Sequence, residues 1–302
     1  MKWFRRTGLA VVVLLLGCAA AYGLVLGYHW WRFAREDCRL TPLMFHAVMP
    51  DRRGPARYWM PALEFARQMQ ELKAAGGTTP SLDSVERVLR TGRLGDACPF
   101  PPHSVLITVD LDGESHHAQL ALPVLRRLGF TALFFVPTFE IDRGRAVTSA
   151  ALRMMADSGM VIGSHTEHHL DMRYEQPDSM LASLERTRDL LRRITGRPVR
   201  TLSAPGGRYD DAVVARVPEA HFTTFFTSDP CYITPRSSPF RLCRIEIRGD
   251  GGMTALDAVR SPFRVALQAT DWSFKRFVEA IVPRGFWYWL HDMRSSMGGP
   301  GY

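Results

Sequence analysis

The sequence predicts an α/β domain on a parallel sheet, open or closed into a barrel, behind an N-terminal transmembrane helix. Three observations carry this. The twenty residues from Leu9 to Tyr28 contain no charged side chain. From Pro42 to Ile247, apolar strand-like runs alternate with amphipathic stretches, the pattern of βα units. Polar residues collect at the ends of the strand-like runs, where active sites of such folds gather.

The first element is the uncharged run, about one bilayer crossing for a helix. Lys2, Arg5 and Arg6 precede it and no basic residue follows until Arg32, so the positive-inside bias puts the N-terminus in the cytoplasm. The expectation is a single-pass protein of the inner (cytoplasmic) membrane whose domain lies on the periplasmic side. Cys18, ending "LLGC", resembles a lipoprotein processing site, but apolar residues continue for ten positions beyond it, and length favours a retained helix over a lipidated Cys18. Residues 1–31 are thus read as basic flank and anchor, 40–250 as the catalytic domain, and 251–302 as an extension of unassigned role.

With 46% hydrophobic and 23% charged residues, the 302-residue chain can bury one sizeable core. Its formal charge of +8 comes without a basic run interleaved with aromatics, which argues against nucleic acid and for a membrane surface or an anionic wall polymer. Cys38, Cys98, Cys231 and Cys243 lack CxxC spacing; in an oxidising compartment they are disulfides or buried thiols, with three pairings open.

Within the domain, "PLMFHAV" (42–48) reads as a buried strand and residues 61–75 as a helix, opened by Pro61 and stopped by Gly76 and Gly77. "SVLITVDLD" (104–112) is a central strand ending in Asp110 and Asp112. Helix 118–128, strand 131–136, helix 149–158, strand 160–165, helix 178–195, strand 199–205, helix 210–217 and strands near 222–227 and 241–247 follow. Beyond Leu256 the reading stops at the aromatic segment "FWYWLHDM" (286–293), for which packing is preferred over a sugar-stacking edge or a membrane contact.

Asp110 and Asp112 stand two apart at a strand end, where neighbouring carboxylates repel unless a cation neutralises them. His165 and His169 in "HTEHH" stand four apart, a spacing that lets two imidazoles meet one metal on a helical turn; His168 between them faces elsewhere, as a structural residue or substrate contact. One carboxylate and two imidazoles leave an open position for water on a divalent ion, and the other carboxylate is free to act as a base. Glu114, Ser115, His116 and His117 are rival ligands, ranked below Asp112.

These residues resemble the polysaccharide deacetylase family, the NodB homology domain of the carbohydrate esterases. Its first motif, TFDDG, is similar to "TVDLDG" (108–113), and its HTxxH motif to "HTEHH" (165–169). "ALPVLRRLGFTALFFV" (121–136) resembles the helix and strand after the first motif, and "APGGRYD" (204–210) the third motif, with Gly206 where an aromatic is usual. The resemblance spans roughly 40–250 and implies a distorted (β/α) barrel. It further implies Asp110 as general base, Asp112, His165 and His169 as ligands of a divalent metal, and Pro205 and Gly206 as the oxyanion and substrate loop. For that donor set zinc is favoured.

Two positions depart from the family. Ser203 stands where an arginine usually steadies the base, and the usual catalytic histidine after a leucine is offered only by "WLHD", as His291. The N-terminal "PLMFHAV" with "FARQMQELKAAGG" (65–77) instead resembles the circularly permuted deacetylases of biofilm poly-N-acetylglucosamine systems. That subgroup implies His46 as general acid, with His291 second. The implied activity is hydrolysis of N-acetyl groups from an amino-sugar polysaccharide, either a poly-N-acetylglucosamine-like exopolysaccharide or a cell-wall glycan. The alternatives are a non-catalytic carbohydrate-binding relative and a small-molecule amidohydrolase of the same fold.

Overall fold

The structure is a computed structural model of the chain, and the residues described are 2–46, 48–50, 58–92, 97–112 and 115–282, with side chains of 2–11 and 14 excepted. Helix α1 (Lys2–Ala34) leads into strand β1 (Thr41–Phe45). A small parallel pair, β2 (Val48–Met49) and β3 (Met60–Pro61), precedes α2 (Ala62–Ala74) and α3 (Leu82–Thr91). Alternation then begins: β4 (Val105–Asp110), α4 (Ala121–Leu128), β5 (Ala132–Val136), α5 (Ser149–Asp157), β6 (Val161–Ser164), α6 (Pro177–Thr195), β7 (Thr201–Ser203), α7 (Asp211–Arg216) and β8 (Thr224–Phe226). Strand β9 (Ile245–Glu246) and helices α8 (Ala255–Arg260) and α9 (Pro262–Ile281) complete the described chain.

Seven strands form one parallel sheet in the order β8-β7-β6-β5-β4-β1-β9. The N-terminal strand therefore lies inside the sheet: β1 pairs with β4, Phe45 against Val109, and on its other edge with β9, Leu43 against Ile245. A parallel bridge from Leu242 to Phe226 joins the same closing segment to β8. The segment 242–246 thus touches both sheet edges and turns the sheet into a distorted barrel, as the sequence led one to expect.

Period-two alternation decides what each strand residue faces. Val105, Ile107 and Val109 join the core under the helices, whereas Leu106 packs with Leu133, Phe135, Phe226 and Leu242 in the barrel interior. Thr108 and Asp110 share the parity of Leu106, so Asp110 tops the inner column. Gly163 on β6 permits the interior to close: a Cβ there would lie 2.7 Å from both the Phe135 ring and Thr201 Cγ2. Helix α3, which the sequence reading does not contain, caps the base of the interior with Leu82 and Val85 and is capped in turn by Ser81, whose hydroxyl accepts from Ser84 N.

The four cysteines pair as Cys38–Cys98 and Cys231–Cys243, and Cys18 is free and exposed. The first bridge joins the segments leading into β1 and β4, the two strands brought together by the permuted order.

The N-terminal segment departs from its expectation. Helix α1 runs on to Ala34, and Phe33 is a core residue packed edge-on against Tyr232. The end of the uncharged run is committed to the domain, because the Tyr22 hydroxyl donates to Asp271 Oδ1 of α9 at 2.7 Å. Ahead of that bond, Leu9 to Ala21 make about 20 Å of helix at 1.5 Å per residue, against a hydrocarbon core of about 30 Å. Among the described residues no helix is long and apolar enough to cross a membrane.

Candidate active site

Asp110 is the last residue of β4, and 3% of it is exposed. Arg244, fully buried on the closing segment, donates from Nη1 to Asp110 Oδ1 at 2.6 Å and from Nε to the Thr227 carbonyl at 2.8 Å. Burial pushes the Asp110 carboxyl up, but Arg244 first, then His165 and His46, outweigh it and hold the group below the usual carboxylate range. Leu111, buried in the core, carries the chain past the strand end, its N–H bonded to Phe135 O. The two aspartates therefore sit in different surroundings: Asp110 against a guanidinium, Asp112 among imidazoles.

Asp112, His165 and His169 come together, with one ligating atom from each lying within 4.8 Å of the others. His169 Nε2 stands 3.4 Å from Asp112 Oδ2 and His165 Nε2 3.8 Å from Asp110 Oδ2. The two histidines do not share a helical turn, as their spacing suggested. They sit on a loop after β6 in which Thr166 (φ 65°) and His169 (φ 57°) adopt the left-handed region, a strained backbone that brings the second ring back over the first at 4.9 Å between centroids.

The donor chemistry fits a divalent cation. Burial lowers His165 to about 4, so its imidazole is neutral at pH 7. Ser203 engages its Nδ1 through the carbonyl (3.1 Å) and the hydroxyl (2.5 Å), which fixes the ring and leaves the Nε2 lone pair facing Asp110 and Asp112. His169 Nε2 is buried without a hydrogen-bond partner. Asp112 is held strongly ionised: burial opposes this, and His169, His46 and His165 overcome it. Asp112 raises His169 against its burial by favouring a proton between the two, and a cation held by the three donors would take that proton's place.

His46 follows β1 directly, one residue beyond the Phe45–Val109 pair and so level with Asp110. Its charge acts on both aspartates, its ring meets Tyr58 edge-on at 5.1 Å, and its Nδ1 is buried without a partner. His291 lies outside the described residues, as does Glu114. The other rivals are engaged elsewhere: Ser115 Oγ accepts from Val147 N, His116 Nδ1 contacts Arg145 O at 2.7 Å, and the His117 ring lies tilted against His116 at 3.9 Å. His168 stands apart from the ligand group, half-exposed and tilted against Phe139 at 4.6 Å. Pro205 and Gly206 form a short turn after β7, with Gly206 (φ 57°) and Gly207 (φ 65°) both left-handed.

Arg244 is the residue the sequence reading missed. Its only sequence signal is a basic residue between the apolar Cys243 and Ile245 of "LCRIEI", a position where a buried arginine needs an acidic partner.

The chain matches the polysaccharide deacetylase family over residues 98–225. It is 23% identical over 218 residues to YxkH of Bacillus subtilis (strain 168), whose name sets it among the polysaccharide deacetylases, covering 72% of this chain and 74% of that one. Among solved structures, the Streptococcus pyogenes deacetylase PplD in complex with acetate is similar at a TM-score of 0.63 and 20% identity, covering 74% of this chain and 97% of that one. IcaB from Ammonifex degensii is similar at 0.61 and 24% identity, covering 77% and 97%. At these identities the structural likeness shows the fold. Fold and sequence match together define the class, a polysaccharide-deacetylating hydrolase. Residues 98–225 are a polysaccharide deacetylase domain, and the chain is similar to the deacetylases of that family.

Proposed function

We propose that the chain is a divalent-metal-dependent enzyme that removes N-acetyl groups from an amino-sugar polymer outside the cytoplasm, of the poly-N-acetylglucosamine or cell-wall kind. The convergence of Asp112, His165 and His169 beside the arginine-held Asp110 carries this reading. These three residues would hold the ion, with zinc suited to two imidazoles and a carboxylate, and a bound ion supplies carbonyl polarisation and activation of water. Asp110 takes the proton of the attacking water, and Arg244 keeps it ionised for that task. His46 protonates the departing amine as the C–N bond breaks, giving acetate and a free amino sugar. Pro205 and Gly206 form the loop on which the acetyl oxygen would rest, with Gly206 leaving its backbone approachable.

Membrane attachment belongs to the same proposal. The basic flank at Lys2, Arg5 and Arg6 and the exposure of Val12, Val13, Leu15 and Leu16 support contact of the N-terminal helix with a membrane surface, with the barrel on the periplasmic side. The two disulfides accord with an oxidising compartment. A non-catalytic relative is disfavoured because all the ligand positions are filled by competent donors.

The test uses the full chain in detergent. One equivalent of bound divalent ion, acetate release from chito-oligosaccharides, and loss of that release with metal retained in Asp110→Asn are expected. Full metal loading with no acetate from any amino-sugar polymer would overturn the reading.

A further inference from the structure

Helix α9 lies beyond the family match, yet one of its faces runs along the mouth of the barrel. Gln268, Trp272 and Arg276 are spaced four apart and so share a face. Each reaches a different part of the site's frame. Gln268 makes two bonds to the main chain of Glu246 on β9, accepting from its N–H at 3.0 Å and donating to its carbonyl at 2.9 Å. Trp272 Nε1 donates to Asp229 Oδ1 at 2.7 Å, just past β8, and the same carboxylate accepts from the Tyr209 hydroxyl. Arg276 Nη1 lies 3.5 Å from the carbonyl of Gly207, in the turn after β7.

These contacts fall where the barrel is least regular. The sheet closes there through the single Leu242–Phe226 bridge and the two-residue strand β9, and between these sits Arg244, which holds Asp110. The turn after β7 is fitted closely to α9: a Cβ at Gly207 would lie 2.6 Å from Ser228 Cβ and 3.1 Å from Trp272 Cη2. The opposite face of α9 rests on α1, with Phe274 5.2 Å from the Tyr22 ring and Phe263 6.1 Å from Trp30.

We propose that α9 is a positioning element of the deacetylase site, its row Gln268–Trp272–Arg276 fixing the closing strand and the Pro205–Gly207 turn, with Trp272 the central residue. The role rests on the function proposed above, but the fixing of the turn does not. Trp272 touches no reacting atom in this scheme; it sets where the turn stands, and a displacement of about 1 Å in such a group costs on the order of a hundredfold in rate.

The experiment compares the full chain with Trp272→Phe, which keeps a ring and removes the N–H, with Arg276→Met, and with Phe277→Ser at an exposed position of the same helix. Amide hydrogen exchange is followed by mass spectrometry across 204–208 and 227–229. Exchange there rises about tenfold in Trp272→Phe and Arg276→Met while β4 to β6 stay protected, and Phe277→Ser matches the parent. On chito-oligosaccharide, Trp272→Phe loses about ten- to a hundredfold in kcat at equal metal content. Unchanged exchange in both segments overturns the proposal, as does a rise spread evenly over the barrel. A parent protein that releases no acetate sinks the proposed function instead, and the exchange result still decides the role of α9.

Discussion

Arg244 reaches Asp110 from the stretch just before β9, 134 residues further along the chain, its Nη1 at 2.6 Å from the carboxylate Oδ1, and neither side chain is more than 5% exposed. The arginine that the family usually places before the third motif is Ser203 here, and Ser203 has another task, holding the His165 ring. The charge beside Asp110, the proposed base, arrives instead on the segment that closes the barrel.

Arg244→Met is therefore expected to leave a buried carboxylate without its cation, at a cost of about 3–5 kcal/mol of stability. With that cation gone the Asp110 pKa rises, and since the base works only when ionised, the acid limb of the kcat/KM profile moves to higher pH. Arg244→Lys keeps the charge and one bond and falls between. Chemical denaturation and a pH–rate profile check both points; an unmoved acid limb in Arg244→Met argues against Asp110 as the base.

Metal content separates the ligand ring from its support. His165→Ala is expected to empty the site, whereas Ser203→Ala, which removes only the hydroxyl contact at 2.5 Å, weakens metal affinity about ten- to a hundredfold. Elemental analysis after dialysis against graded chelator reads this. Full metal in dialysed His165→Ala would mean that other residues hold the ion.

Replacing the proposed acid should spare the metal and slow the chemistry. His46→Ala is expected to lose about 10²- to 10⁴-fold in acetate release at full metal content, and His291→Ala much less. A silent His46→Ala beside an inactive His291→Ala would transfer the role to the C-terminal histidine.

Protonation gives the metal-free protein a defined pH dependence. His165 titrates at about 4 in the fold against an ordinary 6.5, so the unfolded chain binds a proton that the folded chain refuses between those values. Stability is unaffected above 6.5 and falls as pH drops from 6.5 to 4, by up to about 3 kcal/mol at about 1.4 per unit. His169, raised by Asp112 against its burial, acts in the other window: its contribution is intact below 6.5 and fades as pH rises through its folded value. Urea titrations of the chelated protein at pH 7 and pH 4.5 measure the difference, and His165→Asn should flatten it.

The bridge Cys38–Cys98 closes a loop of 60 residues and ties β1 to β4 at their starts. Chain-entropy arguments give it about 4 kcal/mol, against about 3 for Cys231–Cys243 with a separation of 12. A Cys38→Ser/Cys98→Ser variant is accordingly expected to lose more stability than Cys231→Ser/Cys243→Ser, as thermal melts would record. The reverse order would mean that the shorter bridge, next to Arg244, carries the site.

Much of this molecule could be read along the chain. Strand and helix periodicity located β4 to β8 and the helices between them, because hydrophobic alternation is a local signal. The motif residues could be found the same way, since each lies within a few positions of a strand end. His46 was legible only through resemblance to a permuted subgroup, because sixty-odd residues separate it from Asp110 and nothing local joins them. Tertiary structure decided the rest: that β1 lies between β4 and β9, how the cysteines pair, that His165 and His169 meet through two left-handed residues and not a helical turn, and that Arg244 stands at Asp110 where Ser203 does not. It also gave α9 a place, between α1 and the barrel mouth, where the sequence left the residues after Leu256 without a role. The physical reason is common to these cases. Patterning specifies which face of an element is buried, whereas the partner of a buried charge, a strand edge or a thiol is fixed by closure of the barrel, which brings together residues that no local period relates.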